Sequence, residues 1–218
     1  MVRKTKEDAL ETRNQLLDAA ERVFLEKGFS HTSLNDVANA ANLTRGAVYW
    51  HFKNKADLFE AMVERVHLPA ETLGDCGSTE EHCDPLGRLR EFAVLALKET
   101  VVNQRRRRVF TILFHKFEYN QEAKGIESRQ QAAFLDCLQR VEQSLQSAVK
   151  KGQLPPDLNV HSSAIAFQAF FTGLLSNWLF MPRNFDLASY AEPMVDSFFA
   201  MLRNSERLRE DLAAVKTP

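Results

Sequence analysis

Cysteine, glycine and proline are all scarce in this 218-residue chain, with three, eight and seven copies. Few glycines and prolines disfavour an all-β fold rich in turns. Cys76, Cys83 and Cys137 are odd in number and widely spaced, and no C-x-x-C occurs. That pattern argues against a disulfide framework and for a reducing compartment. Cys76, His82 and Cys83 fit no standard zinc spacing and lie in an acid-rich loop, so no metal is expected. An excess of one charge is lacking too: 28 Lys and Arg face 29 Asp and Glu, a net −1. Taken alone, that balance argues against a polybasic binder of nucleic acid or of membrane surfaces. No run approaches the ~18 apolar residues that span a bilayer, and no apolar stretch follows the basic residues 1–6. No signal peptide and no membrane partner are expected, and the expected location is the cytoplasm.

What the chain does have is helical periodicity. Hydrophobic residues make up 44%, which excludes global disorder. Leu10, Leu16, Leu17, Ala20, Val23 and Phe24 recur at helical spacing, and Gly28 reads as the C-cap. Thr32 or Ser33 caps a short helix carrying Leu34, Val37, Ala38 and Ala41. Thr44 caps a third, roughly 45–51, and a fourth runs over about 56–68. Residues 74–85 form a loop. Further helices are predicted over 86–102, 106–119, 128–151, 160–180 and 191–208. The last is expected to become regular only near Pro193. The fold class is all-α: a three-helix helix-turn-helix domain over 1–55, then a larger helical ligand-binding and dimerisation domain over 56–218. About nine helices are expected.

Three short helices with a tight turn before the third match a helix-turn-helix DNA reader. Val48 and Phe52, four apart, can face a core of Val23, Phe24, Val37, Ala41 and Leu58. Tyr49, Trp50 and His51 in succession cannot all face inward on a helix. Arg45 can donate twice to a guanine edge, Gly46 permits close backbone approach, and Ala47 can meet a thymine methyl. Tyr49, Trp50, His51, Lys55, Ser33 and Thr44 are expected at phosphates.

Twelve of the sixteen phenylalanines follow residue 85. Core and ligand pocket explain them equally well from residues alone. Three stripes can line a pocket: Phe110, Leu113, Phe114 and Phe117; Phe134, Cys137, Leu138 and Val141; and Gln168, Phe171, Thr172 and Leu175. Phe92 and His67 complete the candidate ligand-binding set, with Gln168, Thr172 and His67 as polar handles. Cys137 also reads as a buried thiol. Ala166, Ala169 and Gly173 on one helix, with Val195, Phe198, Phe199 and Leu202 on the last, are the expected dimer interface. The run of residues 105–108, four arginines, reads as a solvated helix start with Glu118 or Glu122 as partners. His115 and Glu118 sit one turn apart, but no nucleophile, phosphate loop or metal cluster accompanies them, so no enzyme activity and no cofactor are expected.

Residues 9–55 resemble the TetR family of bacterial one-component repressors. The stretch from Leu43 to Lys55, LTRGAVYWHFKNK, is a very specific match to that family's recognition-helix signature. Residues 1–13, 84–86, 112–118 and 177–180 are similar to AcrR-type regulators of multidrug efflux pumps. The resemblance implies a homodimeric repressor on a near-palindromic operator, released when a small apolar or aromatic ligand enters a pocket, and it tips the phenylalanine stripes toward that pocket. Related regulators carry polar groups in the pocket where this chain has Phe110 and Phe114, which implies a smaller or more apolar site. A metabolite sensor of the same family, answering to a lipid or acyl-CoA, and an enzyme on a helical scaffold are the alternatives. Residues 1–55 hold nine Lys and Arg against seven Asp and Glu, so the near-zero total hides a mildly basic head on an acidic remainder.

Overall fold

Amphipathic repeats separated by capping residues produce nine α-helices among the described residues of this computed structural model, which are 6–66, 84–118 and 123–209. They are α1 (Lys6–Lys27), α2 (Leu34–Ala40), α3 (Arg45–His51), α4 (Lys55–Glu64), α5 (Pro85–Val102), α6 (Gln104–His115), α7 (Lys124–Lys150), α8 (Val160–Phe180) and α9 (Leu187–Asn204). A 3-10 turn, Glu206–Leu208, follows, and a lone bridge pairs Leu158 with Arg209.

The chain separates into two compact units. The head unit holds Met1–His67 with Asn103–Gln131; the second holds Leu68–Val102 with Ala132–Pro218. This partition by packing differs from the expected boundary at 55/56, and four phenylalanine rings explain why. Phe24, Phe29, Phe59 and Phe117 lie with centroids 5.0 to 5.7 Å apart. Phe59 comes from α4 and Phe117 from the segment after α6, so both join the core of α1. Phe29 N also donates to Lys116 O at 3.2 Å.

Local chemistry sets each boundary in the head. Gly28 ends α1 with φ +80°, and an added Cβ would lie 3.2 Å from Lys116 O, so glycine is required twice over. Ser33 and Asp36 form a reciprocal capping box at α2. The turn into α3 places Asn42 at φ 54°, a region asparagine tolerates, and Leu43 N donates to Ala38 O at 2.9 Å to close it. Thr44 Oγ1 then accepts from Ala47 N to start α3, and Asn54 caps α4. The expected core is as read: Val23, Phe24, Val37, Val48, Phe52 and Leu58 are buried, with Ala41 at its margin. Leu10 departs from that reading, since the first turns of α1 stand clear of the core and leave it exposed.

In the second unit α5 and α8 both pack on α9. Phe167 and Phe170 of α8 meet Phe198 at 5.6 and 5.0 Å, and Phe167 meets Phe199 at 5.9 Å. Arg90–Asp196 and Lys98–Glu192 pairs bridge α5 to α9.

Three helix expectations need correction. The helix read as 106–119 stops at His115, where Lys116 leaves helical geometry to reach Phe29. The last helix begins at Leu187, before Pro193, because Asp186 caps the amides of Ala188 and Ser189 and Leu187 and Ala191 bury their side chains. That anchoring outweighs the hydrogen bond proline cannot make. Finally, α8 is long and apolar enough by length and composition to cross a membrane, although polar residues such as Gln168, Thr172 and Asn177 interrupt its apolar run. In the fold it buries one face, with Ala164, Phe167, Leu174, Leu175 and Trp178, and leaves Ile165 and Ala169 exposed on another.

Candidate nucleic-acid interface and ligand-binding helices

Helix α3 is anchored through one side chain. Val48 is fully buried, while Arg45, Gly46, Tyr49 and Trp50 are exposed and Ala47 and His51 half-buried. Trp50 is 71% exposed, which removes it from the core and leaves a large ring facing outward with His51 stacked edge-on at 4.4 Å. Arg45 lies over the Tyr49 ring and donates to its hydroxyl at 3.1 Å. That contact preorganises both side chains on one face of two helical turns, about 10 Å long, a fit to a major groove about 12 Å wide. The space above Gly46 is open, since an added Cβ would have Thr44 Oγ1 as its nearest neighbour at 3.8 Å. A cleft beside α3 is lined by Asn39, Asn42, Leu43, Thr44 and Ala47.

The expected phosphate contacts divide. Thr44 uses a lone pair as cap, which leaves its proton for a partner. Ser33 directs its one proton to Asp36 Oδ2 at 2.5 Å, so a phosphate would have to compete with the capping box. Lys55 is a correction. It is buried, its Nζ donates to Phe29 O at 2.9 Å, and it sits 4.4 Å above the Phe29 ring. It ties the start of α4 to the loop after α1. The exposed cation at this end of α3 is Lys53.

The candidate ligand residues fall in both units. Phe110 and Phe114 belong to the head unit. Phe110 lies under the Arg106 guanidinium at 4.9 Å and packs on the head core, and Phe114 is exposed. Leu113 and Phe117 of the same stripe also lie there, and the remaining described candidates belong to the second unit. There α7 carries exposed Phe134, half-buried Cys137 and buried Val141, and α5 carries half-buried Phe92. Burial pushes the Cys137 thiol up, and Asp136 adds to that, so it stays protonated. On α8, Leu175 is buried and Phe171 stacks on Phe167. Thr172 donates its hydroxyl to the Gln168 carbonyl, so the backbone claims this expected polar handle. Gln168 keeps its side chain: Oε1 is buried and accepts no hydrogen bond. His67 lies outside the described residues, as do Cys76, His82 and Cys83.

The expected dimer residues on α9 need a second correction. Val195, Phe198, Phe199 and Leu202 are all buried within the chain, against α5 and α8. The side of α9 that remains open carries Tyr190, Met194 and Met201. On α8, Ala169 and Ile165 are exposed, Ala166 and Gly173 half-buried, and an added Cβ on Gly173 would meet nothing within 4 Å.

The arginine run is also unlike its expected form. Arg105 pairs with Asp18 at 2.9 Å and Glu21 at 3.0 Å, Arg108 reaches Glu21 at 3.7 Å, and Arg106 is buried and donates to Val66 O at 2.7 Å. The acids they meet are therefore on α1, and Arg106 reaches the backbone just beyond α4; the expected partner Glu122 lies outside the described residues. Among the described residues no group of three or more His, Cys, Asp or Glu is disposed to hold a metal.

The family model for bacterial regulatory proteins of the tetR family matches residues 16–62, and that for the C-terminal region of MAATS-type transcriptional repressors matches 84–204. The chain belongs to the TetR family. It is similar to the HTH-type transcriptional regulator TtgR of Pseudomonas putida, 41% identical over 210 residues that cover 96% of this chain and 100% of that one. The structure of NalD, secondary repressor of the MexAB-OprM multidrug efflux pump in Pseudomonas aeruginosa, aligns with a TM-score of 0.83 at 38% identity, over 92% of this chain and 100% of NalD. The SmeT–triclosan complex aligns with a TM-score of 0.78 at 31% identity, over 95% and 99%; SmeT represses a Stenotrophomonas maltophilia multidrug efflux pump. TetR-family membership makes this chain a transcriptional regulator and not an enzyme.

Within this TetR-family chain, sequence reading missed two sets of residues. One is the acid pair Asp18 and Glu21 that holds the arginines, which lie 84 or more positions away in the chain. The other is the outer stripe of α9. Its signal was present, since Tyr190, Met194 and Met201 repeat at four and seven residues.

Proposed function

We propose that this TetR-family protein is a homodimeric, cytoplasmic repressor of a multidrug efflux operon, released from its operator by an apolar or aromatic ligand. The observation that carries the reading is similarity over nearly the whole chain to efflux-pump repressors, one of which was solved with triclosan. Residues 1–55 supply the reading function. Arg45, Gly46 and Ala47 meet base edges; Tyr49, Trp50, His51, Thr44 and Lys53 meet phosphates, with Ser33 joining when its capping proton is released. Two copies joined through the outer faces of α8 and α9, around Ala169, Gly173, Tyr190, Met194 and Met201, present two such helices to half-sites about 34–36 Å apart. Residues 56–218 supply the dimer face and the ligand site. In the second unit Gln168 Oε1 is the polar group that fixes orientation, among Phe92, Phe134, Cys137, Val141, Phe171 and Leu175. A phenolic hydroxyl satisfies that acceptor.

Ligand releases DNA only through different affinity for the two conformers. The test is a gel-shift titration with a near-palindromic duplex selected by the protein itself, with and without triclosan. Loss of the shifted band at saturating triclosan is expected. An unchanged operator affinity, with triclosan bound by calorimetry, would overturn the release mechanism.

A further inference from the structure

The head unit contains a buried acid that DNA contact does not explain. Glu21 on α1 is 1% exposed and faces three arginines. Arg105 Nε lies 3.0 Å from Oε1, Arg65 Nη1 3.6 Å from the same oxygen, and Arg108 Nη1 3.7 Å from Oε2. One turn back on α1, Asp18 Oδ1 takes Arg65 at 2.7 Å and Arg105 at 2.9 Å. Glu21 Oε1 and Arg65 Nη1 are buried without an aligned hydrogen bond, so their attraction is held by position rather than by a donor–acceptor pair. Burial pushes the Glu21 carboxyl up, while Arg105, Arg65 and Arg108 pull it down and Asp18 adds to the rise.

Where these arginines sit in the chain gives the cluster its meaning. The chain passes between its two compact units after His67, after Val102 and after Gln131. Arg65 is two residues before the first crossing, and Arg105 is three residues beyond the second. Arg106 adds a bond across them, donating to Val66 O at 2.7 Å. Two of the three crossings are thus clamped to α1, the helix on which α2 and α4 pack. A cluster of this kind has one good geometry, since displacing either partner leaves a buried charge uncompensated.

We infer that Glu21 and Arg105 are positioning residues that fix how the reading helix is carried relative to the rest of the chain, and so set the half-site spacing the dimer accepts. The inference rests on the proposed dimeric operator reading. Neither residue touches DNA in that reading, so their loss changes spacing and not half-site sequence.

The test uses the full chain. Half-sites are first selected by the wild type from random duplexes. They are then joined by spacers of graded length and offered to wild type, E21Q and R105Q. Wild type should favour one spacing over its one-base-pair neighbours. In both variants that preference should fall about tenfold, with the half-site sequence unchanged. R105K, which keeps the cation, should retain more of the preference than R105Q. If E21Q fails to fold, R105Q carries the test, because Arg105 lies at the partly exposed rim of the cluster. Folded variants that keep the wild-type preference would overturn the inference. A wild type that selects no paired half-sites would instead overturn the operator reading on which it stands.

Discussion

The two units treat their polar and apolar side chains differently. In the head, away from the exposed face of α3, polar groups close on one another. Ser33 and Asp36 cap each other, Lys55 reaches Phe29 O, and Glu21 Oε1, without an aligned hydrogen bond, is compensated by the charges of Arg105 and Arg65. In the second unit, Gln168 Oε1 is buried without a partner, while Phe134, Tyr190 and Met194 stand exposed. A unit that must present α3 in one orientation gains from local satisfaction. A unit that receives a ligand and a second copy keeps groups open for them. Substitutions of the head's enclosed side chains should therefore act on stability, and substitutions of side chains left open, on α3 or in the second unit, on binding.

The sharpest way to break that comparison is a pair of aromatic truncations. Phe59→Ala removes a ring from a closed four-ring cluster and should cost about 3–5 kcal/mol. Phe134→Ala removes a ring that is 51% exposed and should leave the urea midpoint close to wild type. The second change should show instead in triclosan affinity. Equal losses of stability would erase the contrast between the units.

Next in size is the reading helix. Arg45→Ala should weaken operator binding by roughly 1–3 kcal/mol and relax specificity at one base pair. Because Arg45 bonds the neighbouring Tyr49 on an exposed face, the urea midpoint should barely move. A gel-shift titration and a denaturation curve on the same preparation check both halves. A large stability loss would mean that α3 is held by more than Val48.

The second unit should show the opposite sign. Gln168→Leu replaces an unsatisfied buried acceptor with apolar atoms, so it should stabilise the free protein by about 1 kcal/mol. The same change should weaken a phenolic ligand relative to its methyl ether, measured by calorimetry. A lower melting temperature would show that Gln168 has a partner the free protein needs.

How much of this was legible from the sequence depended on whether the deciding interaction was local. Helices α3 and α8 occupy 45–51 and 160–180 as expected, because a cap such as Thr44 and helical periodicity act within one turn. The start of α9 is not legible from Pro193, because the Asp186 cap and the burial of Leu187 against the rest of the unit extend the helix upstream of it. Lys55 adjoins α3, which points it to a phosphate in the sequence, yet its place is set by Phe29, 26 residues earlier. On α9 two apolar stripes run at helical spacing, and periodicity cannot say which meets α5 and α8 and which stays open. The arginines of 105–108 find their acids on α1, a pairing that no local pattern encodes.

The smallest effect tests the head's capping chemistry through pH. The Asp36 carboxyl is held far below the ordinary carboxylate range, first by Lys27 and then by the Ser33 hydroxyl and amide. A group whose folded pKa is depressed binds fewer protons folded than unfolded. Its contribution is present above its unfolded pKa and fades as pH falls below about 4. Asp36 is partly exposed, so solvent screening limits the contribution to under about 1 kcal/mol. Asp36→Asn should therefore lower the urea midpoint slightly at pH 7, and the gap from wild type should narrow at pH 3. Asparagine can still accept from the Ser33 amide, so what disappears in acid is the charge-dependent part shared with Lys27. If the gap stayed constant between the two pH values, the capping box would owe its strength to hydrogen-bond geometry alone. The head's closure would then be steric rather than electrostatic.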